Sequence, residues 1–246
     1  MLLDIHSHIL PAVDDGAKNL DASLTLIKMM QAQGITDIVA TPHFYPSEDT
    51  LKDFKQRVKE AATLLKNSSK ELPNIIIGCE LFYFNGISKS EHIREFTIGN
   101  SNYILIEPNP YYIGKNLMNE LLYLKDELNL IPIVAHVERY NKSKNYKAFL
   151  KFIKENGILC QVNASSFLDK YYNRVLKKLF KEKIVTFIAT DTHSLNRPPL
   201  MASALDIIEK RFSKEEKQRL LDNLSTLYNE LTVKENVNEF EHAQYL

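Results

Sequence analysis

The sequence predicts one α/β domain whose parallel sheet is closed, or nearly closed, as a barrel. Short apolar segments rich in Ile and Val alternate along the chain with longer segments of helical periodicity, as in a parallel α/β fold. The apolar segments are continuous, which is typical of parallel strands covered on both faces. The length of 246 residues is ordinary for a single (β/α) barrel.

Seven strands are predicted from these apolar segments. In chain order they read LLDI at 2–5, DIVA at 37–40, NIIIG at 74–78, YILI at 103–106, IPIVA at 131–135, ILCQV at 158–162 and TFIA at 186–189. Apolar residues recur at helical spacing at 21–33, 51–66, 116–128, 145–155, 173–181, 199–212 and 214–230. We therefore predict a single domain over residues 1–246, in which the polar, aperiodic residues from about 232 form a frayed tail.

Composition and charge exclude several classes of protein. A flat, doubly wound sheet is the alternative architecture, but its nucleotide-binding versions carry glycine loops, and the chain has only 7 Gly and neither GxGxxG nor GxxxxGKS/T. The 31 Lys and Arg balance the 31 Asp and Glu, so the basic surplus of a nucleic-acid binder is missing. The 2 Cys, the absence of a secretory signal and the absence of a long apolar run predict a cytoplasmic protein without membrane insertion.

Residues that can bind metal ions follow six of the seven predicted strands. In a βα barrel the carboxyl ends of the strands meet at one rim, where the active sites of such enzymes lie. Five of the 7 His are at strand ends, whereas His92 and His242 lie in charged surroundings and are expected on the solvated surface. The residues at strand ends are His6 and His8, His43, Glu80, Glu107, His136, and Asp191 with His193. Together they predict a metal site with more than one ion.

The donor types indicate the metal and the reaction. Imidazole and carboxylate without thiolate suit zinc, manganese or ferrous iron. Each motif alone has an ordinary alternative, because His6 and His8 can cap a turn and Glu80 or Glu107 can be a solvated loop carboxylate. The full set is too large for one ion, and Glu80 could bridge two. Clustered divalent ions activate water and stabilise phosphoryl transfer, so phosphate-ester hydrolysis is the first reaction to consider.

Other hydrolytic mechanisms lack their motifs. A cysteine phosphatase needs Arg six positions after its thiolate, but those positions hold Asn85 after Cys79 and Ser166 after Cys160. Both cysteines are therefore expected to be small buried hydrophobic residues. The chain contains no DxD, HExxH or GxSxG motif, so an aspartyl-phosphate enzyme, a zincin protease and a serine hydrolase are unsupported.

The segments DIHSHILPAVDDGAKN, ITDIVATPHF, GCE, IPIVAHVERY and ATDTH resemble the PHP (polymerase and histidinol phosphatase) superfamily. Within it the chain is most similar to the bacterial manganese-dependent protein tyrosine phosphatases of capsule and exopolysaccharide operons. The resemblance implies a distorted (β/α)7 TIM-like barrel of the PHP type with up to three divalent ions, manganese first and zinc or iron as alternatives. It also implies a tyrosine-phosphorylated protein partner, namely the tail of a bacterial tyrosine autokinase.

The resemblance also implies a role for individual residues. The family pattern favours Asp15 over the adjacent Asp14 as a ligand, although the sequence alone does not separate them. One ion would be held by His6, His8, Glu80 and Asp191, a second by Glu80, Glu107 and His136, and a third by Asp15, His43 and His193.

Two arginines would contact the phosphate in such an enzyme. Arg139 suits this role because its planar guanidinium bonds two oxygens at once, and its alternative is an ion pair with Glu138. Arg197 is the second, with a structural role at a helix start before Pro198 as its alternative. The implied mechanism is attack by a hydroxide that bridges the metal ions, without a dedicated general acid, since phenolate (pKa of about 10) leaves readily.

The aromatic residues Phe44, Tyr45, Tyr111 and Tyr112 could flank the substrate or pack at the barrel rim. Three other functions remain open on the sequence. They are a small-molecule phosphatase of the histidinol phosphate type, a metal-dependent amidohydrolase, and a metal-stabilised scaffold that binds a kinase tail.

Overall fold

A computed structural model describes residues 1–68, 71–109 and 113–238 of the chain, with side chains up to residue 232. The described part contains nine strands and seven α-helices. The strands are Leu3–Ser7 (β1), Asp37–Ala40 (β2), His43–Phe44 (β3), Asn74–Ile77 (β4), Glu80–Phe82 (β5), Tyr103–Glu107 (β6), Ile131–Val134 (β7), Leu159–Asn163 (β8) and Phe187–Ala189 (β9). The helices are Leu20–Ala32 (α1), Leu51–Ser68 (α2), Lys115–Asp126 (α3), Tyr146–Asn156 (α4), Asn173–Lys181 (α5), Met201–Arg211 (α6) and Lys214–Asn238 (α7).

The strands form a curled parallel sheet. One group has the order β1-β2-β4 and the other has the order β3-β5-β6-β7-β8-β9, and all of these neighbours are parallel. The two groups are continuous along the chain, because β3 follows β2 after two residues and β5 follows β4 after two residues. The carboxyl ends of all strands therefore face the same way, as the alternation of strands and helices predicts.

The pairing continues where β2 and β4 are interrupted. Gly78 N donates to Ala40 O at 2.8 Å, and Glu80 N donates to Pro42 O at 3.1 Å. Pro42 has no N–H with which to continue the ladder. A Cβ on Gly78 would lie 3.2 Å from the Val39 side chain, so the two strands need a small residue here. The short strands β3 and β5, which the sequence did not predict, result from this interruption.

The first and last strands are joined by hydrogen bonds next to the ends of β1 and β9. Asp191 N donates to His6 O, and His8 N donates to Thr192 O, each at 2.9 Å. Asp4, fully buried in β1, accepts hydrogen bonds from the backbone N–H and the hydroxyl of Thr190. These contacts bring the segment that follows β9 beside β1.

The helices follow the predicted ranges closely. Asn19 caps α1 by accepting a hydrogen bond from Ala22 N at 2.9 Å. The largest difference is α7, which continues to Asn238, eight residues beyond the predicted end at 230. Leu220, Leu224, Leu227 and Leu231 are buried at helical spacing along it, and a helix anchored in this way extends at little cost into polar sequence. Among the described helices, none combines the length and the apolar character that a membrane span requires.

Candidate metal centre

The structure brings all nine predicted metal ligands together at the carboxyl ends of the strands. Each of the nine residues has a donor atom within 3.7 Å of a donor atom of another of these residues. The ligands lie as follows: His6 in β1, His8 and Asp15 after it, His43 at the start of β3, Glu80 at the start of β5, Glu107 at the end of β6, His136 after β7, and Asp191 and His193 after β9.

The first predicted group is the most buried. His6 Nε2 lies 3.0 Å from Glu80 Oε2 and 3.5 Å from Asp191 Oδ1. His8 Nε2 lies 3.3 Å from Glu80 Oε2 and 3.5 Å from Asp191 Oδ1. The two Nε2 atoms are 3.2 Å apart. Four donor atoms, one from each residue, thus lie within 4.8 Å of one another, close enough to hold one ion.

The second group is centred on Glu80 and Glu107. His136 Nε2 lies 2.9 Å from Glu80 Oε1 and 3.5 Å from Glu107 Oε1. His43 enters the group from the other side, with Nδ1 3.1 Å from Glu80 Oε2 and 3.7 Å from Glu107 Oε2. The structure therefore adds His43 to the three predicted members, and the grouping His43, Glu80 and Glu107 has its donor atoms within 4.8 Å.

The third group distinguishes the two adjacent acids. Asp15 Oδ1 lies 3.5 Å from His193 Nε2 and 3.7 Å from His43 Nε2, with its side chain 67% exposed. Asp14 instead accepts hydrogen bonds from His8 Nδ1 at 2.6 Å and from the backbone N–H groups of His43 and Gly16, each at 2.9 Å. Asp15 thus lies beside the imidazoles of His43 and His193, whereas Asp14 is hydrogen-bonded to His8.

Two buried polar atoms indicate that this cluster fits metal ions. Among the hydrogen bonds of the described residues, none satisfies His43 Nδ1 or Glu80 Oε2. They face each other at 3.1 Å without hydrogen-bond geometry. A buried polar atom without a partner is costly, and a cation between imidazole nitrogens and carboxylate oxygens would remove that cost. The donor set is imidazole and carboxylate throughout, which suits manganese, zinc or iron.

The carboxylates and imidazoles of the metal-free cluster shift one another's pKa values. Burial opposes ionisation of Glu80, but His6 and His136 outweigh it and hold the pKa of that carboxyl well below its usual range. Burial, and then Glu80, raises the pKa of Glu107 to about 8. Burial, and then Arg139, lowers the pKa of His136 to about 4. A metal ion requires neutral imidazole beside ionised carboxylate, so Glu80 and His136 are already in the required state, whereas Glu107 must lose a proton when an ion binds.

Two ligand positions adopt backbone conformations that side chains rarely take. His136 has a φ of +30° and Asp191 has a φ of +51°. Positive φ in a residue other than Gly costs energy and persists where the surrounding contacts hold it. For His136 these contacts include the N–H, which donates to Gln161 Oε1 at 2.8 Å. For Asp191 they include the N–H bond to His6 described above.

A layer of polar side chains behind the ligands is missing from the sequence prediction. Gln161 Oε1 contacts His6 Nδ1 at 3.3 Å as well as His136 N. Gln161 Nε2 donates to Asn163 Oδ1 at 2.7 Å, and Asn163 Nδ2 donates to Asp191 Oδ2 at 2.6 Å. Tyr140 Oη contacts His136 Nδ1 at 3.0 Å. The signal was present in the sequence, because QVN places two polar residues inside an otherwise apolar buried strand.

Both predicted arginines lie at this centre. Arg139 and Arg197 donate to the same atom, Asp191 Oδ2, and both side chains are about one third to one half exposed. Glu138, the alternative partner of Arg139, is instead fully buried and accepts hydrogen bonds from Asn163 N and Ser166 Oγ. Arg197 is positioned by a turn in which its N–H donates to Ser194 O at 2.9 Å.

Within the described part of the chain, the aromatic residues, cysteines and remaining histidines singled out in the sequence lie partly at the centre and partly away from it. Tyr45 stacks on His43 with ring centres 5.0 Å apart, whereas Phe44 packs in the core against Phe54 and Phe96. Tyr111, Tyr112 and His242 lie outside the described residues. Cys79 and Cys160 are buried and His92 is exposed, which confirms the predictions for these three.

Comparison with known proteins identifies the family. A sequence model of the family described as "Capsular polysaccharide synthesis, CpsB/CapC" matches residues 2–228. The tyrosine-protein phosphatase CpsB of Streptococcus agalactiae is 34% identical over 89% of this chain and 94% of its own length. The tyrosine-protein phosphatase YwqE of Bacillus subtilis is 29% identical over 94% and 93%.

The fold is that of a solved relative. A crystal structure from work on YwqE of Bacillus subtilis and CpsB of Streptococcus pneumoniae, described as metal-dependent tyrosine phosphatases, superposes with a TM-score of 0.79. It is 24% identical, and the match covers 93% of this chain and 95% of the other. The chain belongs to the CpsB/CapC family of capsular polysaccharide synthesis proteins.

Proposed function

We propose that the chain is a metal-dependent protein tyrosine phosphatase that hydrolyses phosphotyrosine on a protein partner. The single observation that carries the proposal is the convergence of nine imidazole and carboxylate ligands beside two partly exposed arginines. The names of the CpsB and YwqE relatives supply the substrate class. The alternative of a histidinol phosphate type phosphatase shares the ligand types and has the weaker support from these relatives.

The proposed metal content is up to three divalent ions, with manganese first and zinc or iron as alternatives. Such ions would lower the pKa of bound water and neutralise the charge of a phosphoryl group. The first would be held by His6, His8, Glu80 and Asp191, the second by Glu80, Glu107 and His136 with His43, and the third by Asp15, His43 and His193.

Arg139 and Arg197 would bind the phosphate in this scheme. Their guanidinium groups share one carboxylate oxygen of Asp191 and are partly exposed, so N–H groups remain that can donate to phosphate oxygens. Tyr45, stacked on His43 and half-buried, would flank the aromatic ring of the substrate. No residue is assigned as a general acid, since a phenolate with a pKa of about 10 leaves without one.

The wider setting is also part of the proposal. The presence of all seven predicted strand segments, and the contacts between β1 and the segment after β9, support a distorted (β/α)7 TIM-like barrel of the PHP type. This barrel would form one domain with a polar end after about residue 232. The proposed partner is the phosphorylated tail of a bacterial tyrosine autokinase. The proposed location is the cytoplasm.

The test is phosphate release from a phosphotyrosyl peptide by the purified chain with added Mn²⁺. Replacing both His6 and His8 by Ala should lower the rate at least about 1,000-fold, because two of the four donors of the first proposed site are removed. His92→Ala is the matched control, since His92 is exposed and pairs with Glu95, and its rate should stay within about twofold. Phosphate release that survives in the double variant would contradict the proposal and favour a scaffold.

Substrate choice separates the alternatives. Faster turnover of histidinol phosphate than of the phosphotyrosyl peptide would favour the small-molecule phosphatase. Amide hydrolysis without phosphate release would favour an amidohydrolase.

A further inference from the structure

Positive charge is concentrated in one part of this neutral chain. Residues 139–181 contain 11 Lys and Arg against two Asp and Glu, a net charge of +9, so the remainder of the chain carries −9. The stretch begins at Arg139 and continues from the 3-10 helix Val137–Lys142 through α4 and β8 to α5. A local surplus of this size creates an attractive potential for anions even though the whole protein is neutral.

A surface groove lies within this stretch. Its volume is about 590 Å³, and its lining includes Lys170, Arg174 and Lys177 together with Asn141 and Tyr171. Tyr171 is 50% exposed and donates a hydrogen bond to Asn141 Oδ1 at 3.4 Å. Lys142 Nζ lies 5.2 Å from the centre of the Tyr171 ring. We call these residues, with Lys142, the basic groove.

The cations of the basic groove are available to a ligand. Lys142, Lys170, Arg174 and Lys177 are all exposed, and within the part of the chain that the structure describes none of the four forms an ion pair. On the same helix, by contrast, Lys178 lies 3.9 Å from Glu182. Neighbouring unpaired cations repel one another, and an anionic ligand would relieve that repulsion.

The basic groove adjoins the proposed phosphate-binding arginine. Asn141 follows Arg139 by two residues in the 3-10 helix Val137–Lys142. Such a helix rises about 2 Å per residue, so Asn141, which lines the groove, lies roughly 4 Å along the axis from Arg139. An extended peptide spans about 3.3 Å per residue. The first residues on one side of a phosphotyrosine bound at Arg139 would therefore reach the groove.

We propose that the basic groove binds a run of acidic residues adjacent to the phosphotyrosine in the substrate chain. The inference rests on the proposed phosphatase function and adds a recognition site to it. Carboxylates at two or three neighbouring positions would pair with Lys170, Arg174 and Lys177, while the Tyr171 ring provides an apolar surface for the peptide backbone. The metal centre would then select the phosphate, and the basic groove would select the surrounding sequence.

The test compares two phosphotyrosyl peptides that differ only in their flanking residues, one with Glu and the other with Gln. For the unaltered protein with Mn²⁺, kcat/KM should favour the Glu peptide by about 10-fold at low salt, from about three exposed ion pairs. The preference should shrink in 0.5 M salt, which reduces the Debye length to a few Å (about 3 Å at 1 M). In the triple variant Lys170→Gln, Arg174→Gln, Lys177→Gln, the ratio of kcat/KM for the Glu peptide to kcat/KM for the Gln peptide should fall to about one, because KM for the Glu peptide rises.

A matched control removes equal charge elsewhere. The triple variant Lys52→Gln, Lys59→Gln, Lys66→Gln changes three exposed lysines of α2 and should keep the preference of the unaltered protein. Equal turnover of both peptides by the unaltered protein, or loss of preference in both triple variants, would overturn the inference. The inference would also be overturned if the groove variant kept its preference for the Glu peptide but no longer bound phosphatidylserine vesicles. The groove would then recognise a membrane surface. Failure of the unaltered protein to hydrolyse p-nitrophenyl phosphate would instead contradict the proposed function itself.

Discussion

At the scale of single residues, the candidate ligands are hydrogen-bonded to polar groups outside the predicted ligand set. Asp14 accepts the His8 Nδ1 hydrogen at 2.6 Å, which leaves His8 Nε2 directed at Glu80 and Asp191. Gln161 holds the backbone of His136 and the ring of His6. Partners of this kind fix the orientation of ligands and tune their affinity.

Replacing Gln161 by Met should weaken metal binding while the fold persists. Met has a similar volume but cannot accept from His136 N or bond Asn163, so the affinity for Mn²⁺ should fall about 10- to 100-fold. Competition with a chelating dye measures the affinity, and circular dichroism checks the fold. Gln31→Met, at an exposed position on α1, is the control. Unchanged affinity in Gln161→Met would show that the amide does not position the ligands.

The affinity for metal ions should rise with pH. Burial opposes protonation of His6 and His8, but Glu80 acts on His6 and Asp14 on His8 strongly enough to raise both pKa values above the ordinary one. Below the raised pKa values the imidazoles hold protons that a metal ion must displace, so binding weakens as the pH falls. Titration calorimetry at pH 6 and pH 8 should give at least about 10-fold tighter binding at pH 8.

The variant Asp14→Asn provides the control for this pH dependence. It removes the carboxylate that raises the His8 pKa, so its affinity should change less between the two pH values. An affinity of the unaltered chain that is the same at pH 6 and pH 8 would contradict the expectation.

At the scale of elements, the loop after β1 positions His8 through one glycine. Ala17 N donates to His8 O at 3.0 Å, and Gly16 N donates to Asp14 Oδ1 at 2.9 Å. A Cβ on Gly16 would lie 2.2 Å from the His8 carbonyl oxygen. Because this contact is with backbone, the loop cannot relax by rotating a side chain.

Gly16→Ala should therefore displace His8 and weaken metal binding more than it weakens the fold. We expect Mn²⁺ affinity to fall at least about 10-fold, measured by the same dye competition. Gly86→Ala is the matched control, because its φ of +86° also disfavours a side chain but the added Cβ meets open space. That variant should lose about 1 kcal/mol of stability in urea without a change in affinity. Equal affinities for the two variants would contradict the role given to Gly16.

At the scale of the whole molecule, the centre connects segments that are far apart in the chain. Donor atoms come from β1, β3, β5 and β6 and from the loops after β1, β7 and β9, so an ion bound there joins both ends of the sheet. An ion that binds only the folded state stabilises it, by about 2.7 kcal/mol at 100 times the dissociation constant.

Removal of metal should lower the melting temperature. For a chain of this length the stabilisation corresponds to about 5–10 °C, which differential scanning calorimetry can measure with Mn²⁺ and after chelation. The shift should become smaller when His6 and His8 are both replaced by Ala, because two donors of the first site are removed, whereas His92→Ala should retain the full shift. Identical melting of the unaltered chain in both conditions would be evidence against a structural effect of the ions.

The sequence by itself determined the strand and helix order and the residue types at the strand ends. Both are local properties, because hydrophobic periodicity and the residue that follows a strand can be read without knowing which segments meet. All seven predicted strand segments occur in the structure, and the carboxylate and imidazole residues after them converge as the parallel arrangement requires. The neutral composition concealed the uneven distribution of charge.

Only the tertiary structure decided how the side chains at the strand ends are oriented toward one another. The residue types alone left Asp14 and Asp15 equivalent, and the structure gives them different contacts, since Asp14 bonds His8 and the backbone of His43 whereas Asp15 lies beside His193. The segment QVN marks Asn163 as a polar residue in a buried strand, but it does not show that this side chain reaches Asp191 across 28 residues of sequence. The physical reason is that a side chain's direction and partner depend on packing between distant segments, whereas secondary structure depends mainly on the nearest neighbours in the chain.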